Sequence, residues 1–471
     1  MSITDILNIA KSSLAANQQA MQVLGHNIAN AGTKGYSVQR INFTSNRPLI
    51  TALGVFGRGV NAGSVVRAEA RFLKERLFFE HQGLGKWTSI NKSLREIELS
   101  FSGPGESDLS ASITNFFNAN EELSVNPESL AARANLIQRA EFMATKFNTT
   151  AELLLRMQIN IDREIQTVAR QVNELTRNIA SINELIIITE SGDNTANDLR
   201  DRRDILLEEI SGLLDVKTVQ KKDGGFIISL DGNLLVDGKA QRDLIIVQKS
   251  SGRGSITTLS LEGNSTELKV ISGRLGGLID TRDNYIGRYR ISLDKMAVDL
   301  SNSVNAIHST GFDLDGNTGI NFFKSKIESA LDMAVSSEVS SNSRQIAASG
   351  GYDANNDGIN DTSNGPGDNS IIKLIADLRN TPINSDGTSS ILDSYGSLLG
   401  SIAFDSEQAK DSSEIQELLV NQITNMKDAK IGVSLDEELT KMIVFQTNYA
   451  ASARIISVVD NMMQTMLEMV G

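Results

Sequence analysis

Apolar residues repeat at seven-residue intervals near both ends of the chain. Leu7, Leu14 and Met21 follow this interval at the start, and Met442, Tyr449 and Ile456 follow it at the end. Such a repeat lays an apolar strip along one side of a helix, and that strip must be buried against another helix. The pattern therefore predicts one helix at each terminus, each with an apolar seam.

The two seams are defined by their residues. The N-terminal seam comprises Ile3, Leu7, Leu14, Met21, Leu24 and Ile28, and the C-terminal seam comprises Leu435, Met442, Phe445, Tyr449, Ile456, Val459, Met463 and Met466. Each helix begins with a capping-box pattern, at residues 2–5 and 434–437, whose side chains can satisfy first-turn amides. Isolated helices are marginal in water, so we expect loosely ordered termini until neighbouring copies cover the seams.

The hydrophobic period changes along the middle of the chain. Residues 128–190 show helical spacing, which predicts a long rod helix with a break near Asn148. Residues 216–274 alternate apolar and polar positions between Asp-Gly and Glu-Gly turns, which predicts a small antiparallel β module. The chain is thus predicted to be mainly α with a β insertion, its discontinuous terminal helices forming a coiled-coil-like axial core and a helical rod.

Four regions follow from these patterns. They are a terminal coiled-coil assembly domain (1–45 with 430–471), a helical rod domain (46–215 with 275–326 and 404–429), the outer β module (216–274), and a loop-rich segment with a short helix (327–403). The last region is either a further lobe or part of the rod domain.

The amino-acid composition argues against several classes of function. The 471 residues carry a formal net charge of −13, which argues against general nucleic-acid binding because that requires a basic surface. The chain has no cysteine, so thiol catalysis and cysteine metal sites are excluded. We expect no membrane span, no cleaved signal peptide and no cofactor. The histidines lie far apart in the sequence, so we expect no enzyme activity.

One loop resembles a metal site. Asp353, Asn355, Asp357 and Asp361 place oxygen ligands around Gly358, as a calcium loop does. The twelfth position is Asn364 rather than a bidentate glutamate, so a metal-free Asp/Asn/Gly surface loop is the favoured interpretation. The loop is a weak candidate calcium site, and no other metal site is predicted.

The residues after the first helix resemble a known family. Asn27, Asn30, Thr33, Gly35 and Tyr36 belong to the motif Asn-Ile-Ala-Asn-Ala-x-Thr-x-Gly-Tyr, which is similar to the N-terminal signature of bacterial flagellar axial proteins. That family contains the rod, hook and hook-associated proteins. Blocks at 107–133, 276–323 and 367–379 resemble its hook-associated branch.

This resemblance implies a structural subunit that joins the hook of the flagellum to its filament. The implied partners are copies of the chain in a helical ring, the hook protein, a second hook–filament junction protein, and a cytoplasmic export chaperone that binds the C-terminal helix. The implied location is the extracellular flagellum, after synthesis in the cytoplasm.

Two other interpretations stay open from the residues themselves. The terminal helices could pair with each other inside one molecule. The chain could also be a calcium-dependent surface or adhesion protein in which the helices form a stalk and residues 353–361 form the binding site.

Overall fold

A computed structural model describes most of the chain. The described residues are 3–51, 54–101, 108–192, 195–221, 223–251, 254–264, 266–354, 360, 362–383 and 387–470. Among them, none of the helices has the length and hydrophobicity that crossing a bilayer requires.

Helices dominate the structure, and strands form small antiparallel sheets. The helices are α1 (Ile3–Ala29), α2 (Arg71–Phe101), α3 (Leu109–Val125), α4 (Leu130–Thr189), α5 (Asn197–Leu213), α6 (Gly273–Asp280), α7 (Ile286–His308), α8 (Ser337–Ser341), α9 (Ser370–Asp377), α10 (Ile391–Ile431) and α11 (Leu435–Val470). A π-helical turn at Thr281–Tyr285 joins α6 to α7.

The strands follow the same order along the chain. They are β1 (Gln39–Ser45), β2 (Leu49–Thr51), β3 (Gly54–Phe56), β4 (Val60–Arg67), β5 (Lys217–Gln220), β6 (Phe226–Leu230), β7 (Asn233–Asp237), β8 (Ala240–Gln241), β9 (Leu244–Ser251), β10 (Gly254–Leu261), β11 (Gly351–Tyr352) and β12 (Thr362–Ser363). The predicted fold class, mainly α with terminal helices and a small antiparallel module in the middle, is confirmed.

The chain divides into two compact units, each discontinuous in sequence. Unit 1 comprises Met1–Lys86, Thr167–Gly276 and Glu414–Gly471, and unit 2 comprises Trp87–Gln166 and Gly277–Ser413. Unit 1 includes the terminal helices together with the β module. The four-region division drawn from the sequence stays a prediction.

The β module of unit 1 is held to the second half of α4 by an asparagine. Strands β5 to β8 form one sheet in sequential order, and β9 and β10 form a separate hairpin with unbroken register from Leu244 to Ser251. Asn173 of α4 accepts a hydrogen bond from the Leu244 amide (2.7 Å) and donates one to the Leu244 carbonyl (3.0 Å). The Asn173 side chain therefore satisfies both backbone groups of Leu244, as a residue of a neighbouring strand would.

Aromatic side chains form the core of unit 2. Phe116 of α3 meets its neighbour Phe117 and also Phe322 and Phe323, which meet each other, with ring centroids 5.0–5.9 Å apart. His308, at the end of α7, is fully buried beside them. Its Nδ1 lies 2.7 Å from the Ile320 carbonyl and its Nε2 accepts from the Ala347 amide at 2.8 Å, an arrangement that requires the neutral imidazole.

Burial lowers the pKa of His308 to about 4. An unfolded histidine titrates near 6.5, so between these values the unfolded chain binds the extra proton. The stabilising effect of the neutral ring is therefore complete above about pH 6.5 and is lost as the pH falls towards 4. At about 1.4 kcal/mol per pKa unit, the loss is on the order of 3 kcal/mol.

We predict that His308→Gln flattens this part of the pH dependence of unfolding free energy, measured by denaturant titration between pH 6.5 and 4. The matched control is His26→Gln, because the His26 ring is exposed, with its Nδ1 2.9 Å from the Tyr36 hydroxyl and its Nε2 3.9 Å from a carboxylate oxygen of Asp198. That control should keep the wild-type slope. An unchanged slope in His308→Gln would show that other groups cause the acid sensitivity.

Candidate assembly site

The two terminal helices pair with each other in unit 1. Ser13 of α1 and Ser452 of α11 share a hydrogen bond of 2.8 Å, and Asn27 of α1 bonds to Glu438 of α11. Since later α1 residues meet earlier α11 residues, the helices run antiparallel. The expectation that the seams stay uncovered until neighbouring copies bind therefore needs correcting, because α1 and α11 already cover part of each other in the single chain.

Small residues occupy most of the buried face of α1. Ala10, Ala16 and Ala20 are buried, and so is Asn17, which donates to the Ser13 carbonyl at 2.8 Å. Small side chains allow close approach of the neighbouring backbone. Of the predicted N-terminal seam, Leu24 is buried, whereas Ile3, Leu7, Leu14, Met21 and Ile28 lie half-buried at its flank.

The C-terminal seam is covered unevenly. Val459 is 2% exposed, whereas Leu435, Tyr449 and Met466 are exposed. The remaining seam residues, Met442, Phe445, Ile456 and Met463, are half-buried. The structure thus places the predicted seam mainly on the covered side of α11, with Tyr449 and the two end residues exposed.

A second apolar strip on α11 was missed by the sequence analysis. It comprises Val444, Ala451, Ile455, Val458, Met462 and Met469, all of them exposed. At 100° per residue these positions fall within a sector of about 60°, roughly a third of a turn from the covered side. We call this strip the second seam; its intervals of three, four and seven residues are those of a coiled-coil contact.

The motif after α1 folds into a turn that we call the signature turn (Asn27–Tyr36). Asn27 is fully buried, and both the nitrogen and the oxygen of its side-chain amide are hydrogen-bonded. Its Nδ2 donates to the Gln39 carbonyl (2.9 Å) and to Glu438 Oε2 (2.7 Å), while its Oδ1 accepts from the Gln39 amide (3.0 Å) and the Tyr36 hydroxyl (2.8 Å). One side chain thereby joins α1, β1 and α11.

The other motif residues shape the turn. The Asn30 side chain donates to the His26 carbonyl and accepts from the Thr33 hydroxyl. Gly35 has φ +77°, and a Cβ there would lie 2.6 Å from Ile205 Cγ1, so both conformation and space require glycine. Burial and, as the next largest cause, the negative charge of Asp198 raise the pKa of Tyr36. Its phenol therefore stays protonated and can donate a hydrogen bond.

Two ionic contacts fix this turn in unit 1. Glu438 is fully buried, and its Oε1 lies 2.7 Å from Arg40 NH2. Asp201 of α5 accepts from the Ser37 amide (2.9 Å) and hydroxyl (2.8 Å), and from Arg67 (2.6 Å). Buried charges require such pairing, because an unpaired one costs several kilocalories per mole.

Lys74 and Arg67 also neutralise the neighbouring Asp204. Burial by itself would raise the pKa of the Asp204 carboxyl, but the two cations lower it on balance. Asp204 is therefore ionised at neutral pH. It serves as an ionic anchor for β4 and α2.

The candidate calcium loop is not described. Asn355, Asp357 and Asp361 lie outside the described residues, and Asp353 borders them. Within the described ranges, histidine and acidic side chains form no group of three or more that could hold a metal ion. The calcium site stays a prediction.

Three family models match successive parts of the chain. Residues 7–36 match "Flagella basal body rod protein", residues 94–323 match "Flagellar hook-associated protein FlgK helical domain", and residues 430–469 match "Flagellar basal body rod FlgEFG protein C-terminal". The two terminal matches cover most of α1, the signature turn and α11.

Curated relatives match over nearly the whole chain. Flagellar hook-associated protein 1 of Bacillus subtilis is 27% identical, covering 99% of this chain and 98% of that protein. The protein of the same name from Escherichia coli is 25% identical, covering 96% and 97%. In the Salmonella typhimurium protein of that name, 29% identity extends over 68% of this chain and 59% of the relative.

A solved structure shares the fold. It is described as the flagellar hook junction protein FlgK from Burkholderia pseudomallei, and it matches with a TM-score of 0.66 at 17% identity. The match covers 76% of this chain and all of that one.

We predict that Asn27→Ala lowers the unfolding free energy by roughly 2–4 kcal/mol, since the Gln39 backbone, the Tyr36 hydroxyl and the Glu438 carboxylate would each lose a buried hydrogen bond. Denaturant titration of the full chain would measure it. Asn30→Ala is the control, because its bonds are local and partly exposed, and it should cost less than about 1 kcal/mol. Equal costs would contradict the joining role of Asn27.

Proposed function

Because the chain belongs to the family of flagellar hook-associated proteins, we propose that it is a structural subunit joining the hook to the filament. The relatives are flagellar structural proteins, which favours a structural role over a catalytic one. The observation that carries the proposal is the second seam of α11, an apolar strip left exposed on a helix whose other side is already covered.

The mechanism follows from this two-sided helix. Fully burying an aliphatic side chain stabilises a complex by roughly 1.5–3 kcal/mol, so a seam with Val444, Ile455, Val458, Met462 and Met469 favours association even when burial is partial. A neighbouring copy that covers it leaves its own second seam open. Such a head-to-tail contact passes from copy to copy, and we propose that it builds a helical ring.

The second seam is also suited to contact proteins other than copies of this chain. Met462 and Met469 are flexible and polarisable, so they can adapt to surfaces that differ from the chain's own. We propose that the ring contacts the hook protein on one side and a second junction protein on the other. We further propose that an export chaperone covers α11 in the cytoplasm, and that the subunit acts outside the cell.

Two adjacent valines test the proposal. Val458 is 52% exposed on the second seam, and Val459 is 2% exposed against the rest of unit 1. We predict that Val458→Asp changes the unfolding free energy by less than about 0.5 kcal/mol but prevents incorporation at the hook–filament junction. Val459→Asp should instead cost on the order of 3 kcal/mol, because it buries an unpaired charge.

Electron microscopy of labelled protein on flagella would measure incorporation, and denaturant titration would measure stability. Normal junction assembly by Val458→Asp would refute the role of the second seam. Loss of stability in that variant would show that the seam is not open in the single chain.

A further inference from the structure

The two units of the chain differ in net charge. Unit 1 contains 28 lysine and arginine residues against 28 aspartate and glutamate residues, so its formal net charge is zero. Unit 2 contains 17 basic residues against 30 acidic ones, so its formal net charge is −13. These counts account for all 45 basic and 58 acidic residues, and the net negative charge of the chain is therefore that of unit 2.

The charges of unit 1 balance one another, and several of them are paired within the unit. Its largely buried ion pairs include Arg67–Asp201 at 2.6 Å, Arg200–Glu190 at 2.7 Å and Lys427–Glu208 at 2.7 Å. Since positive and negative charges are equal in number, two copies of unit 1 can approach each other without net Coulomb repulsion. The second seam of α11 belongs to this neutral unit.

Unit 2 cannot balance its acidic residues in the same way. It has ion pairs of its own, such as that of Arg282 with Asp162 and Asp283, yet 13 of its negative charges have no counter-charge in the unit. Four exposed acids of unit 2 that form no ion pair with any described residue are Glu96, Glu152, Asp377 and Asp411. The surplus is therefore carried partly by open carboxylates.

The surplus extends over both sequence segments of unit 2. Residues 87–166 contain 7 basic and 11 acidic residues, and residues 277–413 contain 10 basic and 19 acidic ones. The charge is thus a property of the whole unit rather than of one ion-binding cluster. Like charges on neighbouring copies repel over a Debye length, which is about 30 Å at 0.01 M salt and about 8 Å at 0.15 M.

We propose that the negative charge of unit 2 opposes the association of copies that join through unit 1, and that salt relieves this opposition. The inference rests on the proposed function and describes the regulation of the same assembly contact. The second seam supplies an apolar attraction between neutral units, and the charge of unit 2 supplies a repulsion that ionic strength controls. Assembly is therefore sensitive to the salt concentration around the subunit.

The direction of the salt effect tests the inference in the full-length protein. Sedimentation velocity would measure self-association at about 10 mM and about 150 mM sodium chloride, between which the Debye length falls several-fold. We expect the association constant to rise at least about tenfold with salt, because screening weakens the repulsion. An association made mainly by exposed ion pairs would instead weaken over the same range, because salt screens those pairs as well.

Two matched sets of substitutions locate the repulsion. The unit 2 set is Glu96→Gln, Glu152→Gln, Asp377→Asn and Asp411→Asn. The unit 1 set neutralises four exposed acids that likewise form no ion pair within the described ranges, by Glu174→Gln, Glu184→Gln, Glu262→Gln and Glu417→Gln. Each set removes four negative charges, so the two chains have the same net charge and differ only in where it lies.

The unit 2 set should strengthen self-association at low salt about fivefold and should flatten the salt dependence, because it lowers the repulsion itself. The unit 1 set should change self-association at low salt by less than about twofold, because it leaves the charge of unit 2 as it was. Circular dichroism would show that both chains keep their helices.

The outcomes separate this inference from the proposed function. Equal strengthening by the two sets would show that total charge matters and the location in unit 2 does not, which would overturn the inference. Self-association that weakens as salt rises would also overturn it. Either result leaves the junction role intact, whereas wild-type protein that self-associates at neither salt concentration would contradict the proposed function as well.

Discussion

One buried, fully bonded asparagine joins the end of α1 to the start of α11. Asn27 satisfies the backbone of Gln39, the hydroxyl of Tyr36 and the carboxylate of Glu438. In a buried site an unmade hydrogen bond is expensive, so these partners have one favourable arrangement rather than several. That arrangement fixes where α11 begins relative to the end of α1, and hence which side of α11 faces away.

The orientation of α11 links the structure to the proposed assembly. With Val459 covered and Val458 open, one helix supports the single chain and also offers a seam to another molecule. If α11 were wholly covered, it would have no apolar surface left for another molecule. If it were wholly exposed, its order would depend on contacts with neighbouring molecules. The paired helices combine a defined monomer with an apolar surface for association, as expected of a subunit in a propagating structure.

The sequence predicted the elements better than their contacts. Heptad spacing located both terminal helices, and alternation located the β module. Spacing did not show that alanines rather than Leu7 and Leu14 occupy the buried face of α1, because several registers of one helix are apolar. For the same reason the second seam was not separated from the first.

The other features that the sequence did not predict involve polar side chains. A break in α4 was expected near Asn148, where local side-chain bonds compete with the helix. In the structure the helix is continuous, and Asn148 instead donates to the carbonyls of Ala330 and Met333, far away in sequence. The motif residue Asn27 was found through family resemblance, yet its bond to Glu438 joins residues 411 positions apart, and no local pattern reports it.

Methionine oxidation tests most directly whether the second seam is open in the single chain and covered in the assembly. Brief peroxide treatment followed by mass spectrometry should oxidise Met462 and Met469 rapidly in the monomer and slowly in the junction, while the buried Met143 and Met333 stay protected in both. Rapid oxidation of Met462 and Met469 in the assembled flagellum, or their protection in the monomer, would contradict the account.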